Sequence, residues 1–463
     1  MKRKGLVYAC IKCLAALVII AAPLSVAAQS KKDRERAKKL VEQADKAFQQ
    51  KNYRVAADTY GQALAFIPNS PFLHYRKGFA HFNLKENELA VGEFTTALSQ
   101  GFKPLEIYRV RAFIYYEQKK YDEALADIDK GLALDPKDLL FLKGKGEINL
   151  DRKAFPAALD AFQKAAKVAP NDADVQYNMA RAYFALGDAK EQGVAAETAL
   201  AKGTRFPGES HYLLGDARQK QGNWQGSIDA YQKAINSKPD IYQAYFNLAE
   251  VYRNENRYSD SIAALKQGQK TFPKDGKIYT TLSLYYSLSD RNDDAVQSAR
   301  AGITLLPTAY AGYTALCRAQ NVLRNYYEAA TACNTALDLE PNDGETNYYL
   351  GNAYVGLNKS VEATSKYTKA VKGLTEYTTK NPNSVDGWYL LGNASFADKQ
   401  FDQAIEAYLK SLVISPKFLK ARVNLGIVYT RKKNKAAAIE QYNFVLPADA
   451  ALAARLKAEI DKM

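Results

Sequence analysis

Residues 239–273 read PDIYQAYFNLAEVYRNENRYSDSIAALKQGQKTFP, and the prolines at the two ends, Pro239 and Pro273, stand 34 residues apart. Pro307 and Pro341 continue at the same interval, Pro136 and Pro170 show it earlier, and Pro68 precedes Pro136 by 68, twice the period. A fixed period of this length marks a chain of stacked units and governs every local reading. Twelve residues before these prolines stand Ala56, Ala124, Ala158, Ser227, Ser261, Ala295, Ala329 and, before Pro416, Ala404. Twenty-four before stand Ala44, Ala112, Gly146, Gly215, Ala249, Ser283, Cys317 and Gly392. Five before stand Ala63, Gly131, Ala165, Ala234, Gly268, Gly302, Ala336 and Ser411. Every residue in these three columns is small.

Close helix packing explains the columns. Inside the quoted stretch Tyr245, Leu248, Ala249 and Tyr252 recur at steps of three and four, the spacing of one face of a helix. Small residues where two helices cross let the backbones approach. Proline ends the second helix of each window, because it lacks an N–H and its ring clashes with the preceding turn. Polar turns such as Gly222-Asn223 separate the two helices.

These windows resemble the tetratricopeptide repeat, whose signature combines W-x2-L-G-x2-Y, A-x3-F and a proline. Tyr245…Leu248-Ala249…Tyr252 and Trp388…Leu391-Gly392 carry the first part; Ala56…Tyr60, Ala158…Phe162 and Ala404…Tyr408 carry the second. Eight windows are in clean register, and 71–104, 173–207, 344–384 and 419–452 keep part of the pattern, as in Ala90…Phe94…Ala97 and Leu425-Gly426…Tyr429. The resemblance implies an all-α, right-handed α-solenoid superhelix of about twelve helix-turn-helix repeats over residues 37–447. Residues 29–36 form a lead-in and 448–463 a C-terminal capping helix, which a solenoid needs to cover its last apolar face. Pro341 and Pro416 are 75 apart, two periods plus 7. Seven residues are about two helical turns, so residues 371–381 read as an extended second helix.

The N-terminus reads as a leader. Basic residues to Lys4 precede an apolar stretch, clearest from Leu14 to Ala22; Pro23 breaks it, and Val26-Ala27-Ala28 offers small residues for cleavage after Ala28. The apolar run is short for a spanning helix of about 20 residues. Residues 1–28 are therefore expected to be a signal peptide of bacterial type, and the mature protein periplasmic or secreted, without an integral membrane span. Any membrane association would come through a complex. Lys2, Arg3, Lys4 and Lys12 leave with the leader and no acid does, so the net charge falls from +14 to +10. The remaining basic residues are scattered, and an exported chain meets no nucleic acid.

Catalytic machinery is not legible. His74, His81 and His211 are the three histidines. His74 and His81 share a helix face, but about 10.5 Å of rise separates them, too far for one metal ion at roughly 2 Å bonds. Gly144-Lys145-Gly146 lacks the spacing of a phosphate-cradling loop. Asn393-Ala394-Ser395 fits a glycosylation sequon but lies in a packed helix. No cofactor, metal or catalytic residue is expected.

In this repeat family the first helices line the concave face. The resemblance places Val41, Tyr75, Arg109, Lys143, Tyr177, Tyr212, Phe246, Thr280, Thr314, Tyr348, Tyr389 and Val423 there, with Arg181, Arg318, Asn352 and Asn393 one turn on. Rings can bury a partner's side chains while Arg and Asn bond its carboxylates and backbone; the same rings can instead pack between repeats. A complete Lys, Asn and Arg set for clamping a C-terminal carboxylate is not found. Cys317 and Cys333 are the two cysteines left after cleavage and face one interhelical seam. In an oxidising compartment they are expected to close a disulfide with each other; the alternative is a pair of buried thiols. The expected function is a non-catalytic protein–protein interaction scaffold in the cell envelope, holding other proteins or peptides in the groove. The alternatives are a peptide- or glycan-binding adaptor, or an accessory subunit of an envelope enzyme or secretion complex.

Overall fold

The computed structural model describes residues 31–463; the expected leader and its cleavage position after Ala28 lie outside the described residues. Among the described residues there are 25 helices and no strand. The chain divides into two compact units, the first ending at Phe206 and the second starting at Pro207. The first unit holds five pairs: α1 (Lys31–Gln49) with α2 (Tyr53–Phe66), α3 (Pro71–Asn83) with α4 (Asn87–Ser99), α5 (Leu105–Glu117) with α6 (Tyr121–Leu134), α7 (Leu139–Asp151) with α8 (Phe155–Val168), and α9 (Ala173–Leu186) with α10 (Ala189–Ala201). The second holds seven: α11 (Pro207–Lys220) with α12 (Trp224–Ser237), α13 (Tyr242–Asn254) with α14 (Tyr258–Thr271), α15 (Gly276–Leu288) with α16 (Asn292–Leu305), α17 (Tyr310–Val322) with α18 (Tyr326–Leu339), α19 (Gly344–Gly356) with α20 (Ser360–Lys380), α21 (Val385–Ala397) with α22 (Phe401–Ile414), and α23 (Leu419–Arg431) with α24 (Lys435–Val445). A last helix, α25 (Ala450–Ile460), follows. The degenerate windows thus form pairs like the others. The described part of the stretch read as a lead-in, from Lys31 on, is already helical, in keeping with its Lys, Arg and Glu residues being good helix formers.

The small columns are where rings lie. A Cβ on Gly146 would sit 2.4 Å from the Phe162 ring, one on Gly351 2.5 Å from Tyr367, and one on Gly392 2.6 Å from Tyr408. Phe162 and Tyr408 are almost wholly buried, each removing enough apolar area for about 2–3 kcal/mol. Two further devices repeat without having been read from the sequence. The turn joining the helices of each pair holds one residue in the left-handed region: Lys51, Lys85, Lys119 and Lys153 in the first unit, Asn256 and Asp290 among those in the second, with Gly187 and Gly222 where no side chain is present. Asn52 N–H then bonds Ala47 carbonyl at 2.9 Å, and Glu86 N–H bonds His81 at 3.0 Å, closing the last turn as a Schellman motif. Six residues past the proline, a ring polar group caps its carbonyl: Tyr245 on Pro239 at 2.9 Å, Tyr279 on Pro273 and Tyr313 on Pro307 at 3.1 Å, and Trp388 on Pro382 at 2.8 Å.

The seven extra residues do extend a helix. α20 runs 21 residues, against 14 for α18 and α22. It passes the start of α19 at backbone contact, where a Cβ on Gly344 would meet the Leu374 nitrogen at 2.5 Å and one on Gly373 the Asn342 oxygen at 2.6 Å. At the end of the second unit, Leu456 of α25 lies on Gly426, where a Cβ would meet it at 2.6 Å, and Ala453 and Ile460 are buried beside it.

Candidate binding site

In the first unit the expected groove residues hold neighbouring repeats together. Asp138 and Asp172 cap the starts of α7 and α9, accepting from Phe141 N–H and from Asp174 and Val175 N–H. Arg109 pairs with Asp138, and Lys143 reaches Asp172 at 2.8 Å. Each cation thereby ties one first helix to the capped end of the next. Tyr75 lies among Phe72, Phe79 and Phe102, its centroid 4.9 Å from that of Phe79. Tyr177 stacks on Phe206 at 4.6 Å, and Arg181 stands 5.7 Å over Tyr177 while donating to Asn178 at 2.9 Å. Burial pushes the Glu147 carboxyl up, against the pull of Lys143 and Arg181.

In the second unit Asn352 and Asn393, assigned by sequence to a partner's backbone, have intramolecular partners. Tyr367 donates to Asn352 at 2.8 Å and Tyr408 to Asn393 at 2.6 Å; Asn393 also accepts from Asn424 at 2.8 Å. A hydroxyl buried at its ring end needs an acceptor, and the asparagine one turn along the first helix is the nearest. Tyr212 packs 5.8 Å from Tyr231, Phe246 4.9 Å from Tyr242, Tyr348 5.1 Å from Tyr349, and Tyr389 4.8 Å from Phe418. Tyr212 thus meets the second helix of its own pair, as Tyr348 does through Tyr367 at 6.2 Å, while Tyr242 and Tyr349 are neighbours of Phe246 and Tyr348 on the same helix.

The second unit also makes contacts that a nearest-neighbour stack does not contain. Arg253, at the end of α13, donates to Asp386 of α21 at 3.2 Å and lies over Phe418 at 5.9 Å. Lys417 reaches Glu255 at 2.6 Å, and Asn256 donates to the Lys417 carbonyl. Lys420 of α23 donates to the Leu288 carbonyl at 2.9 Å and approaches Asp290 at 3.6 Å. Partners here are 130 to 162 residues apart, about four repeats along the stack.

Beside this closure is a cavity of about 560 Å³. Its walls come from the first helices α15, α17, α19 and α21 and from the two added turns of α20. Thr280, Thr314, Arg318 and Tyr389, all placed on this face from sequence, line it; Tyr212, Phe246, Tyr348, Asn352 and Asn393 do not. Glu376, Tyr377 and Lys380 enter from α20, and Tyr310, Glu345 and Asp386 from the first helices; none of these six was singled out from sequence. Arg318 donates to Glu345 at 3.0 Å and stands over Tyr349 at 5.9 Å. Burial, with the charges of Asp343 and Asp386, still pushes the Glu345 carboxyl up to about 7. Glu345 keeps 31% of its side chain open and lines the cavity.

Cys317 and Cys333 are bonded to each other, with Cα atoms 5.3 Å apart. They occupy the columns filled elsewhere by Gly392 and Tyr408, so the cystine stands where other repeats lay a ring on glycine. His74 faces Glu93 at 2.6 Å and His81 faces Glu86 at 2.7 Å. Among the described residues no group of three or more His, Cys, Asp or Glu could hold a metal ion, and no helix is long and apolar enough to cross a membrane.

Comparison with known proteins agrees with the repeat. Tetratricopeptide repeats are found at residues 109–173, 155–210 and 212–276 by one family model and at 385–418 by a second. The small glutamine-rich tetratricopeptide repeat-containing protein 2 of Mycosarcoma maydis is 26% identical over 115 residues, 25% of this chain and 33% of that protein. The Hsp70-Hsp90 organizing protein of Triticum aestivum is 28% identical over 186 residues, 38% of this chain and 30% of that one. The human protein O-mannosyl-transferase TMTC1 is 31% identical over 135 residues, 27% and 15%. The chain thus spans a third or less of the length of these relatives. Among solved structures, yeast Tom70 aligns with a TM-score of 0.41 at 15% identity, covering 92% of this chain and 94% of that one. PilW, a type IV pilus biogenesis factor, aligns at 0.40 and 20%, covering 46% and 98%.

Proposed function

We propose that this protein is a non-catalytic scaffold that holds segments of other proteins against the face formed by its first helices, with the cavity of the second unit as the anchoring point. The observation that carries the reading is that cavity, walled by four consecutive first helices and by a helix extension that stacking alone does not need. Rings and charged groups together on a concave wall suit a protein segment better than a small apolar ligand. By its name, the wheat relative organizes two other proteins, which is the same mode of action. We place the work in the cell envelope, after removal of residues 1–28, on the leader-like N-terminus.

Immobilised mature protein should retain partners from an envelope fraction at fixed stoichiometry. Tyr310→Ala with Tyr377→Ala, both substantially exposed positions, should weaken retention at least tenfold with the helix content unchanged. Retention unaffected by both changes would move the site elsewhere. A mature N-terminus at Met1, read by mass spectrometry, would remove the export assignment.

A further inference from the structure

The cavity has the opposite sign to the molecule. The chain carries a net charge of +14, yet the lining supplies five carboxylates, Glu340, Asp343, Glu345, Glu376 and Asp386, against Arg318 and Lys380 in the wall and Arg253 behind Asp386. Composition alone would have made this wall basic. Four tyrosines share it, among them Tyr310, Tyr377 and Tyr389. Carboxylates beside ring faces form the environment in which an organic cation is best held, by ion pairing and by attraction to the ring quadrupole. The molecule uses that attraction itself, with the Lys410 ammonium 4.5 Å over the Trp388 ring.

Two observations narrow the cation. The carboxylates are not gathered as metal ligands, since no group of three or more donors that could hold a metal ion occurs among the described residues. A spread of acids fits a long side chain better than a point ion. The wall also contains a donor without an acceptor: Arg318 is 8% exposed, and its buried Nε has no hydrogen-bond partner. That donor is closed to the cavity as the side chain stands, so a peptide carbonyl would meet it only after the guanidinium turns outward. The extension that breaks the 34-residue period supplies Glu376 and Tyr377, so the departure from the repeat and the acidic wall coincide.

We propose that this cavity reads a lysine or arginine side chain on a partner's extended segment. The inference rests on the protein-binding reading above. The test uses the mature full-length protein and an array of degenerate hexapeptides with Lys, Arg, norleucine or Glu fixed at the centre. Lys- and Arg-centred peptides should be retained at least fivefold better than norleucine- or Glu-centred ones. Glu376→Gln with Glu340→Gln, both exposed and so harmless to folding, should cut that ratio at least twofold; Glu345→Gln should cut it further. Equal retention of norleucine and lysine peptides, or a ratio unchanged in the variants, would overturn the cation assignment while leaving protein binding intact. Retention of no peptide class would instead defeat the protein-binding reading itself.

Discussion

In the first unit, the ion pair Lys143–Asp172 joins residues 29 apart in sequence; in the second, Lys417–Glu255 joins residues 162 apart. Both units stack the same helix pair on the same ring-on-glycine seam. The first unit's Arg109–Asp138 and Lys143–Asp172 pairs each reach the next repeat, as expected for a solenoid whose stability sums over neighbours. The second adds bonds between repeats four positions apart, at Arg253–Asp386, Lys417–Glu255 and Lys420–Asp290. A local device can therefore be deleted from the first unit at local cost, whereas in the second it also loosens contacts between distant repeats that lie beside a cavity.

The largest separation between the units should come from the cystine. Replacing Cys317 and Cys333 by Ala removes a cross-link closing a loop of about 16 residues, worth about 3 kcal/mol on the chain-entropy model. Amides of α17 to α19 should exchange faster by a corresponding factor, with those of α7 and α8, pinned by Phe162 on Gly146, unaffected. Equal acceleration in both units would show that the effect is not local. Thiol counting on the unreduced, denatured protein should find neither sulfur free.

Next is the closure. Arg253 is 4% exposed, and its Nε and Nη1 have no acceptor. Asp386→Asn removes the carboxylate paired with that guanidinium, leaving Glu250 as a nearby acid, and should cost about 2–3 kcal/mol in urea unfolding. Arg253→Met should cost less, because a flexible apolar chain fills the space without a charge to desolvate. Equal losses would mean that packing, not charge burial, sets the penalty.

The smallest effect depends on pH. Glu345 titrates at about 7 in the folded protein, above the ordinary 4.5. The folded state therefore binds this proton more tightly, and its contribution to stability grows as pH falls from about 7 to 4.5 and is absent above that window. Glu345→Gln should stabilise by about 1 kcal/mol at pH 7.5, discounted for solvent in the cavity, and by almost nothing at pH 5. A difference of the same size at both pH values would contradict the assignment. The first unit has an analogous carboxyl in Glu147, also pushed up by burial, but Lys143 and Arg181 oppose the shift.

What the chain shows by itself follows from what repeats. Prolines, small columns and the seven-residue surplus are periodic or break a period, so the helix pairs and the extension of α20 were legible. The seam holding Cys317 and Cys333 was legible because each falls in a known column. The carbonyl caps at Tyr245, Tyr279 and Tyr313 recur at a fixed offset from proline and were available to the same method. The engagement of Asn352 by Tyr367 was not, since a polar residue on a lining position reads alike whether it meets a ligand or its own repeat. The closure was hidden for a different reason. Whether Asp386 reaches Arg253 depends on small rotations accumulated over four repeats, and no local pattern records their sum. The acidic lining was hidden because it gathers residues from four first helices and the added turns of α20, and no single window shows them together.

The most direct test is a zero-length carbodiimide cross-link, which joins an ammonium to a carboxylate only where they already touch. Lys143 and Asp172, 2.8 Å apart in the first unit, provide the internal standard. On monomeric protein at low concentration, peptide mass spectrometry should recover both the Lys143–Asp172 link and a Lys417–Glu255 link, whose atoms stand 2.6 Å apart. Recovery of the first without the second would contradict the closure of the second unit.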